Sequence, residues 1–256
     1  LRRLQGHHRR LGGRRMAVVE GRVGHTQGGK TADHGLKLED GLKETLGDLR
    51  LIGCVGRVKL GQGGYPADDM GNSYLSYNYK TAPDEKYLYL KGIRKVKKVT
   101  GADRKLSFFG SDFTNGDVSK PDFYEWKYYY LGREKVEFKG TQFECHVVRC
   151  TPKTLKLRRE LGYSKRVIFI EKKTLITLKM DYYNEAGIRS KQLRLISFTT
   201  TNNVRGQKVY YETGIEMKNL KTGSRTDLIM SDTRFEGAAN IRTDIFTTEY
   251  LTRKWW

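Results

Sequence analysis

Two carboxylates, Asp112 and Asp117, are the pair whose spacing first invites chemistry, because neighbouring acids can share general-acid and general-base work. They lie five apart across a turn in GSDFTNGD, and His146, on a strand, is the single histidine of residues 74–256. They read as a turn residue and the cap of one helical turn. Ser111, beside Asp112, lacks the Gly-x-Ser-x-Gly elbow that exposes a nucleophile. Cys54, Cys145 and Cys150 form no CxxC pair and have no histidine at metal spacing. Cys145 and Cys150 fall on opposite faces of one strand, FECHVVRC, and cannot bridge each other. His7, His8, His25 and His34 fit no HExxH or HxH pattern. Gly61-Gln62-Gly63-Gly64 lacks the Lys-Ser/Thr of a phosphate loop. These residues point to no enzyme, no metal and no cofactor.

What remains is binding by area and charge. Tyr87, Tyr89, Phe108, Trp126, Tyr128, Tyr130 and Met180 could line an apolar concavity, where each buried methylene of a ligand contributes about 0.8 kcal/mol. The basic run Arg94, Lys95, Lys97 and Lys98, with Arg104 and Lys105 beyond it, could meet anionic headgroups at its mouth. The plainer readings are a closed core and a solvated strand face. The net charge of +20 predicts attraction to polyanions in general. A nucleic-acid- or polyanion-binding β-protein is therefore the alternative function, although the basic residues are spread over every strand and match no RNP, KH or helix-turn-helix pattern.

The elements that would position these groups are strands. From Tyr74 onward, alternating segments of aromatic or aliphatic residues recur at roughly 8–12 residue spacing between turn residues. About eleven strands result, among them LSYNYK, KYLYL, LSFFG, FYEWKYYYLG, EKVEFKG, TQFECHVVRC and the hairpin RVIFIEKKTLITLKMDYY. In the last of these Ile176, Leu178, Met180 and Tyr182 face one way and Thr177, Lys179 and Asp181 the other. TLKLRRELGY holds a short helix or crossover. Asn184–Gly187 and Lys221-Thr222-Gly223 read as hairpin turns. A meander this long must curl, which makes the fold mainly β, a barrel or half-barrel with an apolar concave side. No run of 18 apolar residues suits a spanning helix.

Residues 1–73 differ. They hold 16 of the 28 Gly and one of the 29 aromatics, Tyr65, too little for a core. LRRLQGHHRRLGGRR reads as a solvated basic tail, and a short amphipathic helix is allowed over about 38–50. The chain starts at Leu1 without a signal-peptide pattern, as a processed or partial sequence would.

The blocks KYLYLKGIRKVKKVTGADRKLSFFGSDF, the strand ending in CTPK, RVIFIEKKTLITLKMDYYNEAG, EMKNLKTGSRTDLIMSDTRF and DIFTTEYL follow one another in an order that resembles the LolA-like outer-membrane lipoprotein-sorting protein family over about residues 74–256. Lys91 and Thr248 stand where that family commonly has proline. The resemblance implies an antiparallel half-barrel in the periplasm with no catalytic residues. It implies lipid or lipoprotein acyl chains as ligand, an inner-membrane transporter as a candidate partner, peripheral contact with a membrane and no specific nucleic acid. It does not extend to residues 1–73. These are expected to be foreign to the domain, an out-of-frame or fragment-derived segment, and 74–256 to be the lipoprotein-sorting domain. Without first strands ahead of it, the strand at 75–80 would be an exposed edge.

Overall fold

Period-two alternation builds two antiparallel meanders. The first sheet runs in chain order through β1 (Arg15–Gly21), β2 (Gly53–Lys59), β3 (Asn72–Tyr77), β4 (Glu85–Leu90) and β5 (Lys95–Lys98). The second holds β6 (Trp126–Phe138), β7 (Thr141–Pro152), β8 (Tyr163–Glu171), β9 (Thr177–Asn184), β10 (Arg189–Asn202), β11 (Lys208–Asn219) and β12 (Arg225–Ile229), again with each strand beside its sequence neighbour. Among the described residues this sheet does not close, and the fold is mainly β, an open half-barrel. The computed structural model describes residues 15–21, 53–59, 72–77, 84–119, 123–202, 208–230 and 247–252, with residues 15–21 and 53–59 described as backbone. The segment expected as a helix over 38–50, the glycine motif at 61–64 and the four N-terminal histidines lie outside them.

Several elements differ from the sequence reading. The single meander is two, broken by the irregular segment between β5 and β6. LSFFG is not a strand: Phe109 and Gly110 both adopt left-handed backbone (φ 48 and 69), and only the isolated bridge Ser107–Thr114 keeps a ladder contact. FYEWKYYYLG and EKVEFKG are one 13-residue strand, β6, because a bulge between Tyr130 and Gly132 lets the chain continue where a turn was expected. The expected edge at 75–80 is an inner strand, since β3 pairs with β2 on one side and β4 on the other. The short helix is α1 (Leu155–Leu161). Thr154 caps it by accepting from the Leu157 N–H, left-handed Gly162 ends it, and Leu157 and Leu161 are buried.

The β6 bulge also redirects the core. Trp126 and Tyr128 enter one apolar cluster, whereas Val136 and Phe138, past the bulge, belong to a second. Next door on β7, Cys145, His146, Val147 and Val148 are all buried, with Val148 in the first cluster and Val147 in the second. β7 is thus covered on both faces over this stretch. Cys145 and Cys150 are free thiols in different clusters, and burial pushes them up to about 11 and about 12 respectively.

The first cluster is closed by the segment between the sheets. Phe108, Phe109 and Phe113 pack with Tyr74 and Leu88 of the first sheet and with Trp126, Leu193 and Leu228 of the second. Polar ties fix it in place. Asp112 accepts from the hydroxyls of Ser224 and Thr226 on β12 and its flank, and the Lys191 ammonium on β10 donates to the Asp112 carbonyl at 2.7 Å. Asp117 starts no helical turn among the described residues; it closes the turn behind it, accepting from the Thr114 N–H at 2.8 Å while its own N–H donates to the Thr114 hydroxyl at 3.2 Å. It also accepts from the Tyr163 hydroxyl at 2.9 Å and approaches Arg166 and Lys191 at 3.5 and 3.8 Å. Asp181, expected on a wetted face, is buried instead, held by Gln192 at 2.8 Å with Arg189 and Lys179 nearby.

Candidate ligand-binding cleft

The far end of the seven-stranded sheet curls until distant strands meet. Phe138, at the tip of β6, lies four strands from Phe198 on β10, yet their ring centroids are 6.0 Å apart. The right-handed twist that accumulates across a sheet drives such curling. The tight turn Lys139-Gly140, with both residues at positive φ (51 and 78), lets β6 and β7 reach this far as an unbroken hairpin. Phe143 on β7 stands 6.4 Å from Phe138, and Tyr210 on β11 stands 5.9 Å from Phe198. Phe138, Phe143 and Phe198, together with Ile176 and Leu178 of the β8–β9 hairpin, line an open cleft of about 350 Å³. That is near the lower end of small-molecule sites.

Its polar rim is made by Lys139, Thr141, Glu171 and Thr174. The Lys139 ammonium sits over the Phe138 ring at 5.4 Å. Glu171 turns its carboxylate back onto its own hairpin, accepting from the Lys173 N–H and from the Thr174 N–H and hydroxyl. Burial pushes that carboxyl up, but these hydrogen bonds outweigh it and hold it below its ordinary range. Glu212, paired across the ladder with Phe198, accepts from the Thr177 N–H at 3.3 Å, and burial raises its carboxyl to about 7. The cleft therefore combines apolar area from five side chains with a polar rim whose carboxylate is already occupied by its own hairpin.

The residues singled out from the sequence lie elsewhere. Phe108, Trp126 and Tyr128 are brought together, but as packed core, with Met180 against them. Tyr87 and Tyr89 join a small separate cluster around Leu75 and Leu251. Tyr130 is exposed, its hydroxyl 3.3 Å from the His146 ring. Arg94, Lys95, Lys97 and Lys98 stand in solvent on and beside β5, and none of them lines the cleft. Sequence reading missed Phe138, Phe143 and Phe198. A signal existed in VEFKGTQF, where two aromatics flank a two-residue turn, but nothing in period-two alternation says which hairpin tip will fold over onto which strand.

A family model described as "Uncharacterized protein" matches residues 64–253. No curated protein matches the chain. Among solved structures, a domain from Vibrio parahaemolyticus named for outer-membrane lipoprotein sorting is 25% identical, with a TM-score of 0.62 and 78% of each chain covered. A DUF1329 family protein from Desulfovibrio piger is also 25% identical, with a TM-score of 0.61, covering 78% of this chain and 82% of its own. A LolA superfamily protein from Nitrosomonas europaea is 19% identical, with a TM-score of 0.49 and 77% of each chain covered.

Proposed function

The chain belongs to the family whose model spans residues 64–253, and from its likeness to a lipoprotein-sorting domain we propose that it is a non-enzymatic periplasmic protein that binds the acyl chain of a lipid or lipoprotein. The observation that carries this reading is the cleft between Phe138 and Phe198, an apolar recess at the open end of a half-barrel. An acyl chain laid there gains about 0.8 kcal/mol for each methylene withdrawn from water, with no chemistry required of the protein. Phe108, Trp126, Tyr128 and Met180 keep a place in the proposal as the apolar surface that a longer chain would reach by displacing the segment carrying Phe108. An inner-membrane transporter as the source of the cargo belongs to the same proposal.

The test is direct. Mass spectrometry of organic extracts from the purified protein should find a co-purifying lipid, and a fluorescent fatty acid should bind the lipid-stripped chain. Phe138→Ser with Phe198→Ser is expected to weaken that binding more than tenfold while leaving the thermal transition within a few degrees, since both side chains are partly exposed. Unchanged fatty-acid binding in the double variant, or no binding by the parent chain, would remove the cleft from the proposal.

A further inference from the structure

Residues 91–98 are eight consecutive exposed positions: the 3-10 turn Lys91–Ile93, Arg94, and all four residues of β5. A strand within a sheet ordinarily buries alternate side chains. β5 buries neither face, and among the described strands it is the edge of its sheet. The eight residues include five cations and no acid. Lys97 pairs with Asp103 at 2.7 Å and Lys98 pairs with Glu85. Lys91, Arg94 and Lys95 have no ion pair among the described residues.

Lysines on an edge strand can be explained as a guard against strand pairing. That does not account for Ile93, which is 61% exposed at the hairpin tip. Nor is the tip slack. Arg94 is left-handed at φ 52 and donates its N–H to the Lys91 carbonyl, while the Lys91 N–H donates to the Asn72 side chain at 2.9 Å and anchors the turn to β3. The fold holds an aliphatic side chain out in water, flanked in the chain by Lys91, Arg94 and Lys95, which have no ion pair among the described residues.

We propose that the β4–β5 hairpin docks on the surface of an anionic bilayer. Ile93 enters the boundary between headgroups and acyl chains, and Lys91, Arg94 and Lys95 meet the phosphates. A nucleic acid is the poorer fit, because none of the eight residues is aromatic and no base could stack there. The surface lies apart from the cleft and draws on none of its residues, so either reading can fail alone.

Sedimentation of the full chain with vesicles separates the outcomes. Phosphatidylglycerol-containing vesicles should bind it and pure phosphatidylcholine vesicles should not, with binding lost as salt shortens the screening length to about 10 Å at 0.1 M. Each cation removed should weaken binding about fivefold, so Lys91→Gln, Arg94→Gln and Lys95→Gln together should cost on the order of a hundredfold. Ile93→Ser should weaken binding without altering its salt dependence. Ile93→Trp should show a blue-shifted emission with anionic vesicles alone, over the background of the native tryptophans. Circular dichroism melts matching the parent would show that these surface variants fold. Equal binding to neutral vesicles, no binding to anionic ones, or a triple variant that binds like the parent would overturn the proposal. Retention on DNA that the triple variant loses, without vesicle binding, would overturn it in favour of a nucleic acid.

Discussion

The Arg166 guanidinium and the Asp117 carboxylate approach to 3.5 Å at a point where the Asp117 side chain has no exposed surface and that of Arg166 has 7%. Arg166 lies 4.7 Å from the Trp126 ring centre, 5.1 Å from that of Tyr182 and 5.3 Å from that of Tyr163. The pair therefore links the segment between the sheets to the middle of β8, inside an aromatic box. Burial opposes the charge of Arg166, but Tyr182, Asp117 and Tyr163 more than restore it and hold the guanidinium above its ordinary pKa.

Breaking that pair from one side should be costly. Asp117→Ala leaves a buried guanidinium with ring faces but no anion, and should destabilise the protein by about 3–5 kcal/mol. Asp117→Asn combined with Arg166→Met removes both charges and should cost clearly less than the two single changes added together. Urea denaturation of the four chains measures the coupling. Additive losses would mean that the pair does not act as a unit.

The GSDF turn makes a separate prediction. Asp112→Ala removes the acceptor for the Ser224 and Thr226 hydroxyls and should cost roughly 1–3 kcal/mol. It should also speed hydrogen exchange at Phe108, Ser111 and Asn115, whose N–H groups are bonded within the segment, while β7 and β8 stay protected. Exchange that accelerates everywhere at once would show that the turn is not a local tie.

Those two acids show what the sequence made legible. Asp112 and Asp117 were readable as residues of local turns, because side-chain bonds to nearby backbone are a short-range matter of spacing, although Asp117 closes a turn with Thr114 and caps no helical turn. Their partners on β8, β10 and β12 were not, being 46 to 114 residues away in the chain. Most of the strands, the short helix and the Gly187 and Gly223 turns are likewise local and legible, although LSFFG reads as a strand and is not one. The Leu131 bulge is different. A glycine in a strand pattern fits a turn as well as a bulge, and choosing the turn split β6 and hid the hairpin that carries Phe138 to the cleft. A resemblance of block order pointed to the kind of fold; only the curl of the sheet located the recess.

Glu212 gives a pH prediction. Burial raises its carboxyl from the ordinary 4.5 to about 7, and the Thr177 N–H offsets this only in part. The folded chain therefore binds more protons than the unfolded one between those values. This contribution makes stability fall as pH rises from 4.5 to 7, with the full cost present above 7. Glu212→Gln should remove that slope and gain on the order of 3 kcal/mol at pH 8, while changing little near pH 4.5. Thermal melts of both chains across this range check it, and parallel profiles would show that Glu212 does not titrate there.

The last prediction concerns the first sheet. The composition of residues 1–73 supports the proposal that they are foreign to the domain, and the family match begins only at residue 64. Yet β2 pairs with β3 from Gly53↔Tyr77 to Val58↔Asn72 and covers its outer edge. A chain cut before Asn72 would bare those backbone groups, and an open edge of unpaired N–H and C=O groups seeks another strand. The truncated chain is expected to form oligomers in native mass spectrometry at concentrations where the full chain is monomeric. A short peptide spanning Gly53–Lys59, added in excess, should reverse the effect by re-covering β3. A truncated chain that stays monomeric with an unchanged melt would instead place the whole of residues 1–71 outside the folding unit, as their texture suggests.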